Sequence, residues 1–126
     1  MDSPTQRSLR HLRKDGWTVA IVEHFNNFTK TRSDLFGFAD LLAMKPGCKP
    51  LLVQVTASGW AARLAKIRDS PEARTALASG FDIEVHGWRR LVANRNRMTI
   101  IVIPVTQEDT KWTVPIISEA QTPELF

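Results

Sequence analysis

The chain has 126 residues, 43% apolar and 24% charged, a composition typical of one soluble globular domain with a single core. No apolar run approaches the roughly 20 residues of a membrane span, and the first residues lack the apolar core of a signal peptide, so we expect a cytoplasmic protein without a membrane partner. The one cysteine, Cys48, excludes an internal disulfide framework and a multi-thiolate zinc site. Phosphate-loop and dinucleotide-binding motifs are absent from the sequence, and no organic cofactor is expected.

Positive charge exceeds negative charge, with a net charge of +4 and an isoelectric point near 9.7. Arginine outnumbers lysine eleven to six, and arginine is the side chain better suited to bidentate contact with phosphate. This excess favours DNA as the partner, and a solvated basic face is the alternative interpretation. The candidates for phosphate contact are Arg7, Arg10, Arg13 and Lys14 at helical spacing, and Arg89, Arg90, Arg95 and Arg97 after the fourth predicted strand.

The first predicted element is a helix. Ser3, Pro4 and Gln6 have the order of an N-cap, a first helical residue and a capping-box partner. The helix should run over 4–14 and end at Gly16, because glycine commonly follows a helix C-terminus. The segments that follow are a strand over 17–25 and a polar loop over 26–33.

A β-hairpin and a helical crossover come next. The turn at Pro46 and Gly47 joins two apolar strands over 37–44 and 50–56, and Ser58 is placed to cap the helix behind them. The later predicted elements are helices over 59–69 and 70–80, and strands over 81–86, 98–105 and 112–117. A right-handed crossover through the two helices makes the strand after them parallel to an earlier strand.

Polar side chains stand at one end of this apolar hairpin. If the hairpin turns about Gly47, residues whose numbers sum to 94 face each other, which sets Asp40 opposite Gln54. Thr56 lies two residues further along the strand and therefore on the same face as Gln54. Buried polar groups must be hydrogen-bonded or bound to a ligand, so this oxygen-rich corner is suited to a hard divalent cation.

The run SDLFGFADLLAM, a turn, and LLVQVT resembles the core of the PD-(D/E)XK nuclease superfamily, nearest to small phage and bacterial endonucleases related to Holliday-junction resolvases. The hallmark of that family is an Asp at the end of one strand and an acid-x-Lys on the next. Asp40 takes the place of the metal-binding Asp, Gln54 that of the second acid, and Thr56 that of the catalytic Lys. The resemblance covers residues 3–88.

The resemblance implies a Mg²⁺ or Mn²⁺ site and a set of residue roles. Asp40 and Gln54 would be catalytic metal ligands, with Asp34 or Glu23 restoring the charge that Gln54 lacks. Lys66, on the helix after the second hairpin strand, would replace the missing lysine at the attacked phosphate. Arg63 lies three residues before it, on the same helical face, and would contact phosphate.

Two side chains near the fourth strand keep two interpretations each. His86 is more often a satisfied histidine of an edge strand than a general base. Trp88, beside Arg89 and Arg90, is either an aromatic at the edge of the core or a platform on which a base stacks.

The sequence thus predicts a single α/β domain over 1–126, with a mixed β-sheet flanked by helices. It would have a restriction-endonuclease-like core over about 3–88 (helix, three strands, helix, strand) and a C-terminal β extension over about 98–117. The expected function is metal-dependent DNA cleavage, on branched or junction DNA by analogy, in a bacterial or phage-infected host and as a homodimer. The alternatives are a catalytically inactive fold that binds nucleic acid or protein, and a phage structural or assembly protein.

Overall fold

A five-stranded mixed β-sheet forms the centre of the molecule, with one helix on one face and two on the other. The computed structural model describes residues 3–106. In chain order the elements are α1 (Pro4–Lys14), β1 (Thr18–Ile21), β2 (His24–Asn26), β3 (Thr31–Ser33), β4 (Leu41–Met44), β5 (Leu51–Thr56), α2 (Trp60–Arg68), α3 (Pro71–Ala78), β6 (Asp82–Leu91), a 3₁₀ turn (Val92–Asn94) and β7 (Arg97–Val105). The sheet order is β1-β4-β5-β6-β7, and β2 and β3 form a separate hairpin. The α/β class with a mixed sheet is therefore confirmed. None of the helices among these residues is long and apolar enough to cross a membrane.

The predicted register of the central hairpin is confirmed. Strand β4 pairs antiparallel with β5, with Leu41 opposite Val53 and Ala43 opposite Leu51, so partner numbers sum to 94. The predicted parallel pairing is confirmed as well, because β6 pairs parallel with β5 after the two helices. The C-terminal end of β5 and the N-terminal end of β4 therefore lie side by side at one end of the strands, where the polar side chains are.

Two apolar cores cover the two faces of the sheet. Leu9 and Leu12 of α1 pack on one face, against side chains such as Leu41 and Val53. Helices α2 and α3 pack on the other face, where Ile67 is buried among side chains that include Leu52. Alternation along β5 then directs Gln54 and Thr56 to the same face as Leu52.

Helix boundaries follow the capping residues in two of three cases. Ser3 accepts a hydrogen bond from the Gln6 N–H at 3.2 Å, and Ser70 accepts one from the Ala73 N–H at 3.1 Å. The expected Ser58 cap of α2 is wrong, because Gly59 is the N-cap residue and no side chain caps it. Ser58 instead closes a turn, its N–H donating to Thr56 Oγ1 at 3.1 Å.

The single strand predicted over 17–25 and the loop predicted over 26–33 are wrong. The chain leaves the main sheet after Ile21, and β2 and β3 pair with each other. Asn26 makes the reversal, since its Oδ1 accepts the N–H groups of Phe28 and Thr29 at 2.9 and 3.3 Å. Lys30 completes the turn with a left-handed φ of 56°.

Two further boundaries differ from prediction, and one predicted strand is untested. Strand β4 begins at Leu41 because residues 35–39 form a tight turn with Phe36 and Gly37 at positive φ. Strand β6 continues past His86 because β7 pairs with it as far as Leu91, so Arg89 and Arg90 lie on the strand rather than after it. The strand predicted over 112–117 lies outside the described residues.

Candidate metal centre

Asp40 lies at the entry to β4 with its carboxylate inside the protein. The residue is 5% exposed. Its carboxylate Oδ2 accepts two hydrogen bonds, from Gln54 Nε2 at 2.7 Å and from the Val55 N–H at 2.8 Å. Both donors belong to β5, which fixes the carboxylate against that strand and leaves Oδ1 outside these two bonds.

Strand register brings two more carboxylates to the same place. The β1–β4 register continues to Val22, whose N–H donates to Asp40 O at 2.9 Å, so Glu23 follows directly beside Asp40. The hairpin pairs His24 with Ser33, and one step further sets Glu23 opposite Asp34. Carboxylate oxygens of Glu23, Asp34 and Asp40 all lie within 4.8 Å of one another. We call these three residues the carboxylate cluster.

The carboxylate cluster holds more negative charge than its surroundings compensate. The pKa of the Asp40 carboxyl is raised to about 7, mainly by burial. The hydrogen bond from the Val55 N–H lowers this pKa, whereas the hydrogen bond with Asp34 and the negative charges of Asp34 and Glu23 raise it further. Like charges held together in a poorly solvated site favour a shared proton or a bound cation. Carboxylate oxygens are the ligands that Mg²⁺ and Mn²⁺ prefer, so the donor set fits such an ion.

The carboxylate cluster opens into a cleft of about 670 Å³ between the start of α1, the β2–β3 hairpin and the β5–α2 turn. Two arginines line it, and their positions differ. Arg32 reaches Glu23, with Nη1 3.7 Å from Oε2, and so compensates part of the acidic charge. Arg63, exposed on α2, lines the cleft from the other side. An anionic ligand above the carboxylate cluster would meet both guanidinium groups.

Gln54 and Thr56 occupy the positions predicted for them, and the polar group of each side chain forms a hydrogen bond within the protein. Gln54 is 1% exposed and points its amide nitrogen at Asp40. Its amide would have to rotate to offer an oxygen to a cation. The Thr56 hydroxyl donates to the Ser58 carbonyl, so this side chain holds the turn into α2.

The other predicted residues lie on α1, on α2 and along the β6–β7 hairpin. Lys66 is exposed on α2 and does not line the cleft, whereas Arg63 on the same helix does. The first basic group lies around a shallow recess of about 500 Å³ formed by Arg7, Arg10, His11, Arg13, Lys14 and Trp88. In the second group, Arg90 Nη1 donates to Asn96 O at 3.0 Å and thereby holds the β6–β7 hairpin, while Arg95 and Arg97 are exposed near its tip.

A second buried polar cluster was not expected from the sequence. Ser8 and His86 are both 0% exposed, and Ser8 Oγ lies 2.9 Å from His86 Nδ1. Trp88 Nε1 donates to Ser8 Oγ at 2.8 Å, and His86 Nε2 lies 3.0 Å from Glu84 Oε1. We call these four residues the serine–histidine network. Ser8, His86 and Glu84 are arranged in the order of a catalytic triad. The Ser8 side chain is fully buried, so no substrate can reach its hydroxyl.

His86 is thus a satisfied histidine, as the more common interpretation held, but it lies on the second strand from the edge of the sheet. The only sequence signal for this network is the alternation of Glu84, His86 and Trp88 along one strand face. The pairing with Ser8 spans 78 residues and depends on where α1 packs.

No family model, curated protein or solved structure matches the chain, so the resemblance drawn from its residues stays a prediction.

Proposed function

We propose that this protein is a divalent-cation-dependent DNA endonuclease of the PD-(D/E)XK type, with its site at the carboxylate cluster. The observation that carries the proposal is the convergence of Glu23, Asp34 and Asp40 at the floor of an open cleft whose rim has two arginines. An acidic floor beneath a basic rim suits a cation below and a phosphate above.

The three carboxylates would hold Mg²⁺ or Mn²⁺, which when bound activates a water and stabilises the negative charge that develops on the attacked phosphate. Asp40 is the central ligand, because Gln54 and Val55 fix its orientation from β5. Glu23 and Asp34 supply the charge that a carboxylate at position 54 supplies elsewhere in the family. Arg63 orients the scissile phosphate from the α2 side.

Protonation and cation binding compete at Asp40. The pKa of its carboxyl is raised to about 7, so the metal-free cluster holds a proton on a large fraction of molecules at neutral pH. A cation must displace that proton. Affinity for the cation therefore rises with pH through the neutral range and levels off above it.

Fold order and charge support the same proposal. One helix, an antiparallel meander of three strands, a helical crossover and a parallel fourth strand are compatible with the core expected for the family. The net charge of +4 and the basic recess on α1 favour a polyanionic ligand. The cleavage of junction DNA, and a homodimer that places two sites on it, remain proposals from the resemblance.

A second candidate is a catalytically inactive DNA-binding module of the same fold. The observation that favours it is the missing lysine at the attacked phosphate. Thr56 stands where the family has its catalytic lysine, and no lysine is among the described residues that line the cleft. In this alternative Arg63 binds phosphate without accelerating its hydrolysis.

The test is a cleavage assay on supercoiled plasmid, linear duplex and four-way junction DNA with Mg²⁺, Mn²⁺, Ca²⁺ or EDTA. We expect cutting of at least one form with Mg²⁺ or Mn²⁺ and none with EDTA. Salt-dependent DNA binding without cutting in any cation would instead establish the inactive module. Neither binding nor cutting at low salt would contradict both.

A further inference from the structure

A second recess adjoins the cleft at the β5–α2 turn. It has a volume of about 370 Å³ and shares Ala57 and Ser58 with the cleft. Its lining residues are Ala57, Ser58, Gly59, Trp60, Ala61, Gly87, Trp88 and Arg89. We call it the tryptophan groove.

The groove exists because two paired strands end at different places. Pairing of β5 with β6 stops at Thr56 opposite Gly87, where β5 turns into α2. Strand β6 continues to Leu91 beside β7. A gap is thereby left between the departing α2 and the remaining length of β6.

The two tryptophans that line the groove are held in place on opposite faces of the sheet, so only Trp60 presents its ring beside Gly87. Trp60 is half-buried and packs on the core under α2. Gly87 lies against it, since a Cβ at that position would be 3.4 Å from the Trp60 Cβ. Trp88 is half-buried against the other core and is fixed by its hydrogen bond to Ser8. Fixed aromatic surfaces bind a flat ligand at a low cost in conformational entropy.

Charge continues past the groove on its far side. Arg89 lines the groove and is exposed. Trp88 also lines the basic recess on α1. A path therefore leads from the carboxylate cluster, across two small residues, past the Trp60 indole and onto Arg89, which alternation along β6 directs to the same face as Gly87. Successive bases with a phosphate backbone have this pattern of flat apolar and anionic groups.

We propose that the tryptophan groove binds an unpaired nucleotide next to the scissile phosphate, its base against Trp60 and its phosphate on Arg89. This inference rests on the proposed function for the position of the scissile phosphate. It identifies the substrate class as DNA with a single-stranded segment adjoining a duplex. A paired base is stacked on its neighbours, so only an unpaired base can turn into the groove and stack on Trp60.

The test compares two oligonucleotides that differ only in their bases. One is a 20-base-pair duplex with a four-thymidine arm, and the other is the same duplex with four abasic residues in the arm. Their affinities are measured with the full chain in Ca²⁺ without Mg²⁺. Backbone charge is equal in both, so stacking alone sets their ratio, and we expect the thymidine arm to bind at least about fivefold more tightly. Equal affinities would overturn the proposal.

Variants then locate the effect. Trp60→Leu should bring the ratio of affinities close to one, whereas Trp17→Leu, a half-buried tryptophan of the α1 core, should leave it unchanged. Circular dichroism checks that both variants fold, and the comparison of arms in the parent protein stands without them. A ratio that survives in a folded Trp60→Leu variant would place the stacking elsewhere and overturn the groove.

Cleavage of the same oligonucleotides in Mg²⁺ separates this inference from the proposed function. Cutting together with equal affinities would contradict the groove alone. A thymidine preference without cutting in Mg²⁺ or Mn²⁺ would support the groove and contradict the nuclease. Binding of neither oligonucleotide at low salt would contradict both.

Discussion

The two buried polar clusters of this protein differ in whether their groups are satisfied. In the serine–histidine network each donor has an acceptor: Trp88 donates to Ser8, the Ser8 hydroxyl can donate to His86 Nδ1, and His86 Nε2 to Glu84. In the carboxylate cluster three acids converge, and the two hydrogen bonds that Asp40 accepts from β5 go to one oxygen. Ser8 and His86 at the centre of the first cluster are fully buried, whereas the second cluster opens to a cleft.

This difference separates a structural role from a functional one. A complete buried network stabilises the packing of α1 on β6 and needs nothing from outside. A group of like charges such as the one around Asp40, whose pKa is raised, destabilises the fold until a proton or a cation compensates it. We therefore expect changes in the network to alter stability, and changes in the carboxylate cluster to alter chemistry.

The largest effect is expected from Asp40→Asn. The variant keeps the shape of the side chain but removes the central charge, so the cleavage rate should fall roughly a thousandfold, the equivalent of several kcal/mol of lost charge stabilisation. The matched control is Asp82→Asn, because Asp82 is exposed at the opposite end of β6. Rates are measured under single-turnover conditions in Mg²⁺, and equal rates for both variants would place the chemistry elsewhere.

The next largest effect is expected from Ser8→Ala, and it concerns stability. The change leaves Trp88 Nε1 and His86 Nδ1 buried without their partner, which should lower the free energy of unfolding by about 3 kcal/mol. Affinity for Mn²⁺ should be unchanged. Urea denaturation measures the first and calorimetry the second, with the exposed Ser79→Ala as a control within about 0.5 kcal/mol of the parent. Lost Mn²⁺ binding in folded Ser8→Ala would link the two clusters.

The pH dependence of stability should reveal the raised pKa of Asp40. The folded protein holds the Asp40 proton up to about pH 7, and the unfolded chain releases it near 3.8. Between these values the folded state binds more protons, so this carboxyl stabilises the fold at low pH, and that contribution is lost as pH rises through 7. Metal-free Asp40→Asn should therefore gain about 2 kcal/mol on the parent between pH 4 and pH 8. Parallel stability curves would contradict the raised pKa.

Gln54→Glu should change cation affinity by a smaller factor. A fourth carboxylate adds charge and removes the amide donor to Asp40, so Mn²⁺ should bind about tenfold more tightly while the metal-free protein becomes less stable. Gln54→Met removes the amide without adding charge and is the control. Calorimetry at pH 8 measures both, and an unchanged affinity in Gln54→Glu would place position 54 outside the cation's ligands.

The smallest effect distinguishes the two basic side chains of α2. Arg63 lines the cleft, and Lys66 does not. Arg63→Ala should reduce the slope of log affinity against log salt by about 0.9, the value for one phosphate contact, and Lys66→Ala should reduce it less. If Lys66→Ala abolished cleavage with little loss of DNA affinity, Lys66 would be the cation at the attacked phosphate after all.

Local patterns predicted the elements that local forces determine. The β4–β5 register follows from the turn at Gly47, and α3 begins where Ser70 and Pro71 predict. The pairing of Asp40 with Gln54 could be predicted for the same reason. The β2–β3 hairpin was missed because its strands are short and mostly exposed, with no apolar alternation. The Asn26-Asn27 pair was the available turn signal.

Residue spacing alone did not predict that Glu23 and Asp34 both lie beside Asp40. Glu23 and Asp34 were alternatives in the sequence, and only the hairpin shows that both face Asp40. The serine–histidine network depends on the packing of α1 over β6, and no periodic pattern encodes that contact. Long-range packing decided both.

We propose above that the carboxylate cluster holds a divalent cation. The most direct measurement is anomalous diffraction from crystals soaked in Mn²⁺ at pH 8, where Asp40 is ionised. We expect one strong peak about 2.1 Å from oxygens of Asp40 and of Glu23 or Asp34. A fully soaked crystal with no peak at these carboxylates, or with its strongest peak elsewhere, would contradict it.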